Sequence, residues 1–469
     1  MDKFFKLTER NTSVKTEFRA ALVTFFAMVY ILVVNAGMFS NPLGDGSSPL
    51  GVSFGGMYVA TALGAIVGSL VMGLLANLPV ALASGMGLNA FFVYTICVGM
   101  GFSYANALVF ILFDGILFII LSATGIRRAV FECIPDCIRR SIVVGIGFML
   151  ALLGFKSGGL IVISDATGIA KGSFNVLSGS WSSIMPLLVC LLSVFAVAIL
   201  DKRKVKGSVF IGMLFGTALY YLLGLTVKDF GGYALFASAQ SPLEAFRDFA
   251  QTNLGAVFTQ GFDFSAYVAS HGAASFFLNI ICTVFIFLML DMFDTVGTLY
   301  ATCQTSGLTD SEGRIENMDK ALMSDALATT AGAVFGTNTV TAYAESVTGV
   351  GAGGRTGLTA VFVALLFVYA LLFAPLGSMV PACASAVALV YVGYIMLRGI
   401  ARLEWDDPLS VVPAFLTISV TCFACDIALG IAYGMLSYTA MCLFSGNTKK
   451  LNAGTWLLTV LFVLMMLVS

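Results

Sequence analysis

An all-α polytopic membrane fold is predicted by three features of the chain. Of its 469 residues, 59% are hydrophobic and only 10% are charged, where a soluble domain carries roughly 25% charged residues. Apolar runs long enough to cross a bilayer, about 20 residues each, recur from one end to the other. Lys and Arg gather between alternate runs, as a positive-inside bias demands.

The apolar runs predict fourteen spans, at 17–39, 54–76, 80–101, 104–124, 136–155, 183–200, 207–225, 274–303, 318–335, 339–354, 357–375, 380–399, 408–424 and 426–445. Residues 454–468 would reach about 22 Å as a helix against a hydrocarbon core of about 30 Å, so they read as a C-terminal membrane-associated helix. Met1 to Arg19 carries Lys3, Lys6, Arg10, Lys15 and Arg19 without a cleavage-type apolar core, which reads as mature chain and not as a signal peptide. Net charge is −1, but its distribution says more. With a cytoplasmic N-terminus, every basic residue except Lys156, Lys171, Lys228 and Arg247 follows an even number of crossings. Both termini then lie on the cytoplasmic side of the cell membrane, and the long loops 156–182 and 226–273 lie outside. The Cys residues, including the Cys422/Cys425 pair, sit in apolar stretches and read as small buried hydrophobes.

The third and tenth spans differ from the rest. One runs Pro79-Val80-Ala81-Leu82-Ala83-Ser84-Gly85-Met86-Gly87-Leu88-Asn89, the other Gly336-Thr337-Asn338-Thr339-Val340-Thr341-Ala342-Tyr343-Ala344-Glu345-Ser346. Each opens on small or β-branched residues, then passes to a helix-like stretch with one polar side chain. They stand seven spans apart, as in a 7+7 inverted repeat where equivalent segments point in opposite directions. Paired interrupted segments mark a transporter's binding site, because non-helical backbone at that depth survives only where protein or a polar cavity satisfies it. Two closely packed Gly-rich helices would give the same glycines, but not the polar residue in each.

Ionisable groups inside a membrane are costly and mark function by default. Asp291 and Asp294 stand at i and i+3 in the eighth span, on one helix face, and cannot both ionise cheaply away from water. Such a pair suits proton coupling; the structural alternative is a pair held by Thr295 and Thr298. Glu345 falls at the start of the tenth segment's half-helix, where exposed N–H groups favour a carboxylate. It can only accept hydrogen bonds, whereas Asn89 in the third segment both donates and accepts. Together they suit a neutral, hydrogen-bonding heterocycle better than an inorganic anion, with Phe91, Phe92, Phe293 and Tyr343 near enough in sequence to stack on it. Asp114 is as readily structural as functional. Asp325, on the route to the tenth segment, could lock or couple it. His271, the only His, sits at a loop end. Gly349, Gly351, Gly353 and Gly354 lack the G-K-[ST] of a phosphate loop.

Gly85-Met86-Gly87-Leu88-Asn89-Ala90-Phe91-Phe92, Met292-Phe293-Asp294-Thr295-Val296-Gly297-Thr298 and the run from Glu345-Ser346-Val347-Thr348-Gly349 to Gly357-Leu358-Thr359 resemble the AzgA-like purine permeases. So does the opening Thr24-Phe25-Phe26-Ala27-Met28-Val29-Tyr30-Ile31-Leu32-Val33-Val34-Asn35. The resemblance spans essentially the whole chain. It implies proton-driven uptake of hypoxanthine, guanine or adenine by alternating access. It also implies the fourteen-span fold of uracil and xanthine permeases, with a core domain (1–125 and 274–378) and a gate domain (126–273 and 379–469). By motif, Asn89, Asp294, Glu345, Phe91 and Ser346 are implied in substrate binding and Asp291, Asp294 and Glu345 in proton coupling. Asp325 is implied in conformational coupling. Where uracil permeases carry a His after the eighth-span acid, this chain has Thr298, so that His's role does not transfer. The implied partners are a purine base, the bilayer and a second copy through the gate domains, with the proton as coupling ion and neither cofactor, metal nor nucleic acid. The rival readings are an anion or uracil/xanthine carrier of the same fold, a passive channel, and a membrane enzyme. The last lacks H-E-x-x-H, G-x-S-x-G or paired metal-ligand spacing.

Overall fold

Apolar helices account for most of the chain because a backbone in hydrocarbon must satisfy its own N–H and C=O groups. The computed structural model describes residues 2–42, 46–124, 133–163, 170–172, 181–226, 240–309 and 315–468. Arg127, Arg128, Lys228 and Arg314 of the charge pattern lie outside the described residues. Among those described, ten helices are long and apolar enough to cross a membrane.

In chain order, α1 (Val14–Met28) and α2 (Tyr30–Ser40) form one rod interrupted at Val29. Then come α3 (Phe54–Val71), β1 (Leu82–Ser84), α4 (Met86–Ala90) with its π-helical continuation Phe91–Gly99, and α5 (Tyr104–Thr124). Next are α6 (Asp136–Ser157), α7 (Trp181–Lys202), α8 (Ser208–Thr226) and the short α9 (Pro242–Asp248). The second part holds α10 (Ser265–Ser306), α11 (Met318–Phe335), β2 (Val340–Ala342), α12 (Ser346–Val350) and α13 (Gly357–Ala370). It ends with α14 (Ala382–Leu397), α15 (Pro408–Phe423), α16 (Ile427–Phe444) and α17 (Ala453–Val468).

The expected bounds 54–76, 104–124 and 318–335 match the helices found there, Phe54–Ala76, Tyr104–Thr124 and Met318–Phe335. Four expected spans are not among the ten long apolar helices. The third and tenth are strand-plus-half-helix segments, α15 is short, and α11 carries Asp319, Lys320 and Asp325. The eighth, expected at 274–303, follows a non-helical break at Gly272, whose φ of +82° a side chain would resist; a short helix from Ser265 precedes the break. His271 ends that short helix, beside Gly272 as expected, and stacks on Tyr267.

The helices pack in two groups. One comprises α1, α2, α3, α5, α10, α11 and α13, the other α6, α7, α8, α14, α15 and α16. Residues 240–263, expected with the second group by chain position, pack instead on α3 and α5 of the first. The Gln240 side chain accepts the Gly55 N–H at 3.1 Å, and the Asn253 side-chain amide donates to Tyr104 Oη at 2.8 Å. Helix α17 lies against both α16 and α10, with Phe462 fully enclosed. In the second group α6 and α14 touch backbone to backbone, since a Cβ on Gly393 would stand 2.5 Å from the Gly147 carbonyl oxygen. Replacing Gly393 with Leu must prise these helices apart. We expect a loss of about 1–3 kcal/mol, read as a lower melting midpoint of the purified protein, with Ala less harmful than Leu.

Candidate functional site

The site is built around two three-residue strands deep in the first group. β1 and β2 pair antiparallel with Leu82 opposite Ala342, Ala83 opposite Thr341 and Ser84 opposite Val340. Gly85 N–H to the Thr339 carbonyl (3.1 Å) and Tyr343 N–H to the Ala81 carbonyl (3.0 Å) extend the ladder at either end. Val, Ala, Thr and Ser suit a fully buried strand of this length. A half-helix follows each strand, so α4 leaves the ladder at the Ser84/Val340 end and α12 at the Leu82/Ala342 end.

An amide and hydroxyl network fills the interior behind the strands. Asn89, fully buried, accepts through Oδ1 from Ser84 Oγ at 2.8 Å and from Asn338 Nδ2 at 2.7 Å. Its Nδ2 has no protein partner. Asn35 Nδ2 donates to Thr61 Oγ1 at 2.7 Å and lies 3.4 Å from both Ser84 Oγ and Thr337 Oγ1. Thr295 and Thr341 share a hydrogen bond of 2.6 Å that ties α10 to β2.

The acidic residues divide between two environments. Asp294 is exposed and Glu345 partly so, although both lie deep within the bundle and within electrostatic reach of each other. They line a recess between the two helix groups: Phe293 lies under the Arg139 guanidinium of α6, 5.8 Å from its ring centre, and Ile146 of α6 abuts Gly87. On α10 the same face exposes Gly297, Ala301 and Gln304, so the opening runs toward that helix's C-terminus. Neither Asp294 nor Glu345 forms an ion pair with a described Lys or Arg. Asp291 is fully enclosed, taking a hydrogen bond from Thr329 Oγ1 at 3.1 Å. It is within electrostatic reach of Asp325 on α11 and Asp114 on α5, both fully buried. Neither oxygen of Asp114 has a protein hydrogen bond.

Three expectations need correction. The ring of Phe91 is fully buried edge-to-face on Phe287, with centres 4.8 Å apart. Two residues along a helix turn it about 200° from Asn89, into the packing and away from the recess. Ser346 is also enclosed, its Oγ accepting the Ala81 N–H at 3.0 Å, so it serves the backbone that leads into β1. Glu345 does precede α12, but that helix is a single turn with no side-chain cap on its amides, too short to sum a useful macrodipole. The carboxylate is held instead by Tyr30, whose Oη donates to Glu345 Oε1 at 2.6 Å.

Sequence reasoning passed over Tyr30, Asn35 and Asn338. Both amides lie in apolar runs, where a polar side chain needs a partner, and that signal was available. Tyr30 gave none, because its partner is 315 residues away.

A bundle of apolar helices whose midsection holds two opposed half-helices and an acid-lined recess defines a membrane transporter. The chain belongs to the Permease family (Xan_ur_permease), which residues 15–435 match. It is 34% identical to the adenine permease AdeP of Escherichia coli (strain K12), over 99% of this chain and 95% of that one. It is also 34% identical to the guanine/hypoxanthine permease PbuO of Bacillus subtilis (strain 168), over 99% and 100%. The kinship with purine permeases read from the motifs therefore holds along the full length. The transmembrane domain of a cyanobacterium bicarbonate transporter, BicA, has the same fold at 15% identity, with a TM-score of 0.61 over 89% of this chain and 97% of that one.

Ser346→Ala leaves the buried Ala81 N–H without an acceptor, at about 1–3 kcal/mol. We expect a lower melting midpoint with the apparent affinity for transported solute unchanged; a selective loss of affinity would return Ser346 to the ligand.

Proposed function

We propose that the protein imports purine nucleobases across the cytoplasmic membrane, coupled to protons, by alternating access. The observation that carries this reading is the pairing of Asp294 and Glu345 in one recess, neither ion-paired with a described Lys or Arg. Carboxylates accept hydrogen bonds, so the ligand they suit presents N–H donors and carries no negative charge. Purine bases fit, and the relatives named above are purine permeases. A same-fold anion carrier is disfavoured on the same ground, since its ligand would meet two acids.

On this reading the fourteen segments form two inverted repeats of seven. The first helix group is the core, the second the gate, and the termini are cytoplasmic. The recess, opening toward the C-terminal end of α10, then faces the cytoplasm. Glu345 and Asp294 hold the ligand, and Asp294 exchanges the proton with water in the recess. Asp291 shares that coupling from within, and Asp325 ties it to α11. Asn89 supports the half-helices and has one unspent donor, Nδ2, to offer. Homodimerisation through the gate helices completes the proposal.

Uptake of labelled hypoxanthine, guanine and adenine into cells lacking their own purine transport tests the substrate class. Accumulation of none would overturn it. Glu345→Gln removes an anionic acceptor while keeping shape, and loss of a charged hydrogen bond costs about 1.5–3 kcal/mol, or roughly tenfold or more in affinity. We expect uptake to fall at least that far with the protein still present in the membrane; normal uptake would remove Glu345 from the site. A protonophore should abolish accumulation against a gradient. Sodium-dependent uptake that survives the protonophore would reassign the coupling ion, and equilibration without accumulation would indicate a channel.

A further inference from the structure

We propose that Tyr30, acting through Glu345, makes the site select 6-oxopurines over adenine; the inference rests on the purine reading above. Tyr30 opens α2 directly after the interruption at Val29, and its side chain is 1% exposed. Its hydroxyl makes the one side-chain hydrogen bond that Glu345 receives among the described residues. At 2.6 Å the contact has the length of an O–H donor on an ionised carboxylate, 2.5–2.7 Å. Tyr30 lies against α14 as well, within electrostatic reach of Tyr391, so this hydrogen bond sits where the two helix groups meet.

The chemistry follows from counting donors and acceptors. A phenol has one proton to give, and here Oε1 takes it. That bond fixes the plane of the carboxylate and leaves Oε2 as the oxygen available to the recess, as an acceptor. Asp294, across the recess and without an ion pair to a described Lys or Arg, is a second acceptor in its ionised form. A ligand that satisfies both must bring N–H groups on two edges.

A 6-oxopurine does so. Its N1–H points away from the ring beside C6=O, guanine adds the neighbouring N2 amino group, and the imidazole ring supplies an N–H on the far side. Adenine has a bare N1 lone pair where the oxopurines have N1–H. Set against Oε2, it opposes acceptor to acceptor, and on that edge only its amino group is left to bond. A site built to accept from a ligand N–H penalises the analogue without that hydrogen far more than a merely apolar pocket would. Tyr30 is thus a positioning residue: it does not touch the ligand, but it decides which oxygen of Glu345 faces the ligand and in what role.

Purified wild-type protein and the variants Y30F, E345Q and Y30F/E345Q in proteoliposomes provide the test, with labelled hypoxanthine competed by unlabelled guanine or adenine. In the wild type, adenine should need at least roughly tenfold more than guanine for half-inhibition. Y30F should narrow that ratio to about threefold or less by weakening the oxopurines, and adding Y30F to E345Q should change little, because the two residues act as one unit. A merely structural Tyr30 would weaken all purines alike. Equal loss for both classes, or an unchanged ratio in Y30F, overturns the proposal. If Y30F fails to accumulate, the wild-type ratio still decides, and equal affinity for adenine and hypoxanthine overturns it. Wild-type liposomes that transport no purine overturn the underlying functional reading, an outcome separate from equal transport of both classes.

Discussion

Six strand residues in the middle of an apolar bundle set the terms for everything around them. Backbone N–H and C=O groups that lack partners in hydrocarbon cost several kcal/mol each, and neither strand can satisfy its own. β1 and β2 satisfy one another along their shared edge; on the outer edges Ser69 accepts the Leu82 N–H at 2.9 Å and donates to its carbonyl at 3.1 Å, and Tyr343 Oη donates to the Ser84 carbonyl at 3.0 Å. Helix α3 must come close enough to reach them. It does so on Gly64 and Gly68, where an added Cβ would stand about 3 Å from Val340. The pairing fixes where α4 and α12 leave the ladder, at its opposite ends, and with them the positions of Asn89 and Glu345. A slip of one residue would turn every strand side chain to the opposite face and dismantle the amide network.

The second half-helix is held at both ends. Tyr30 takes the Glu345 side chain at its head. At its foot the Arg355 guanidinium donates to the carbonyls of Val350 and Gly354 at 2.7 and 2.8 Å. The loop that carries Arg355 is tied to α1 by Glu17, which is fully buried and accepts the Arg355 N–H at 2.9 Å and the Thr12 hydroxyl at 2.8 Å. Arg10 adds hydrogen bonds to the carbonyls of Asn77 and Arg355. The glycines of this loop, which looked superficially like a phosphate-binding turn, have a steric role instead. A Cβ on Gly349 would overlap Thr24 Oγ1, and Gly353 has a φ of +110°.

How much of this was legible depended on how local its cause is. The bounds 54–76, 104–124 and 318–335 were readable to the residue, because each helix ends where its own composition turns polar or glycine-rich. The two interrupted segments were readable as a pair, but the ladder between them was not, since strand register depends on residues some 260 positions apart. Membrane cost singled out Asp291, Asp294 and Glu345 as acids. It could not tell which faced the recess: positions i and i+3 differ by about 60° around a helix, enough for one carboxylate to be wet and the other dry. Phe91 and Ser346 misled for a related reason, since neighbours in a motif project in different directions. Tyr30 was invisible because one aromatic more or less carries little information among 40 Phe and 15 Tyr.

The division among the acids bears on how transport could be coupled to shape. Asp114, Asp291 and Asp325 come from α5, α10 and α11, all within one helix group, and each is fully enclosed there. Asp294 and Glu345 lie near the boundary, beside residues that meet the other group's helices: Phe293 under Arg139, Gly87 against Ile146, and Tyr30 within electrostatic reach of Tyr391. If the groups move as rigid bodies, the enclosed acids keep their neighbours while the boundary acids change theirs. Water access, and with it the energy of holding charge, then varies only at Asp294 and Glu345. The two residues proposed to hold the ligand are then the two whose electrostatics would respond to such a movement. Asp291, one turn away on the same helix, feels that change through Asp294 while remaining out of the water.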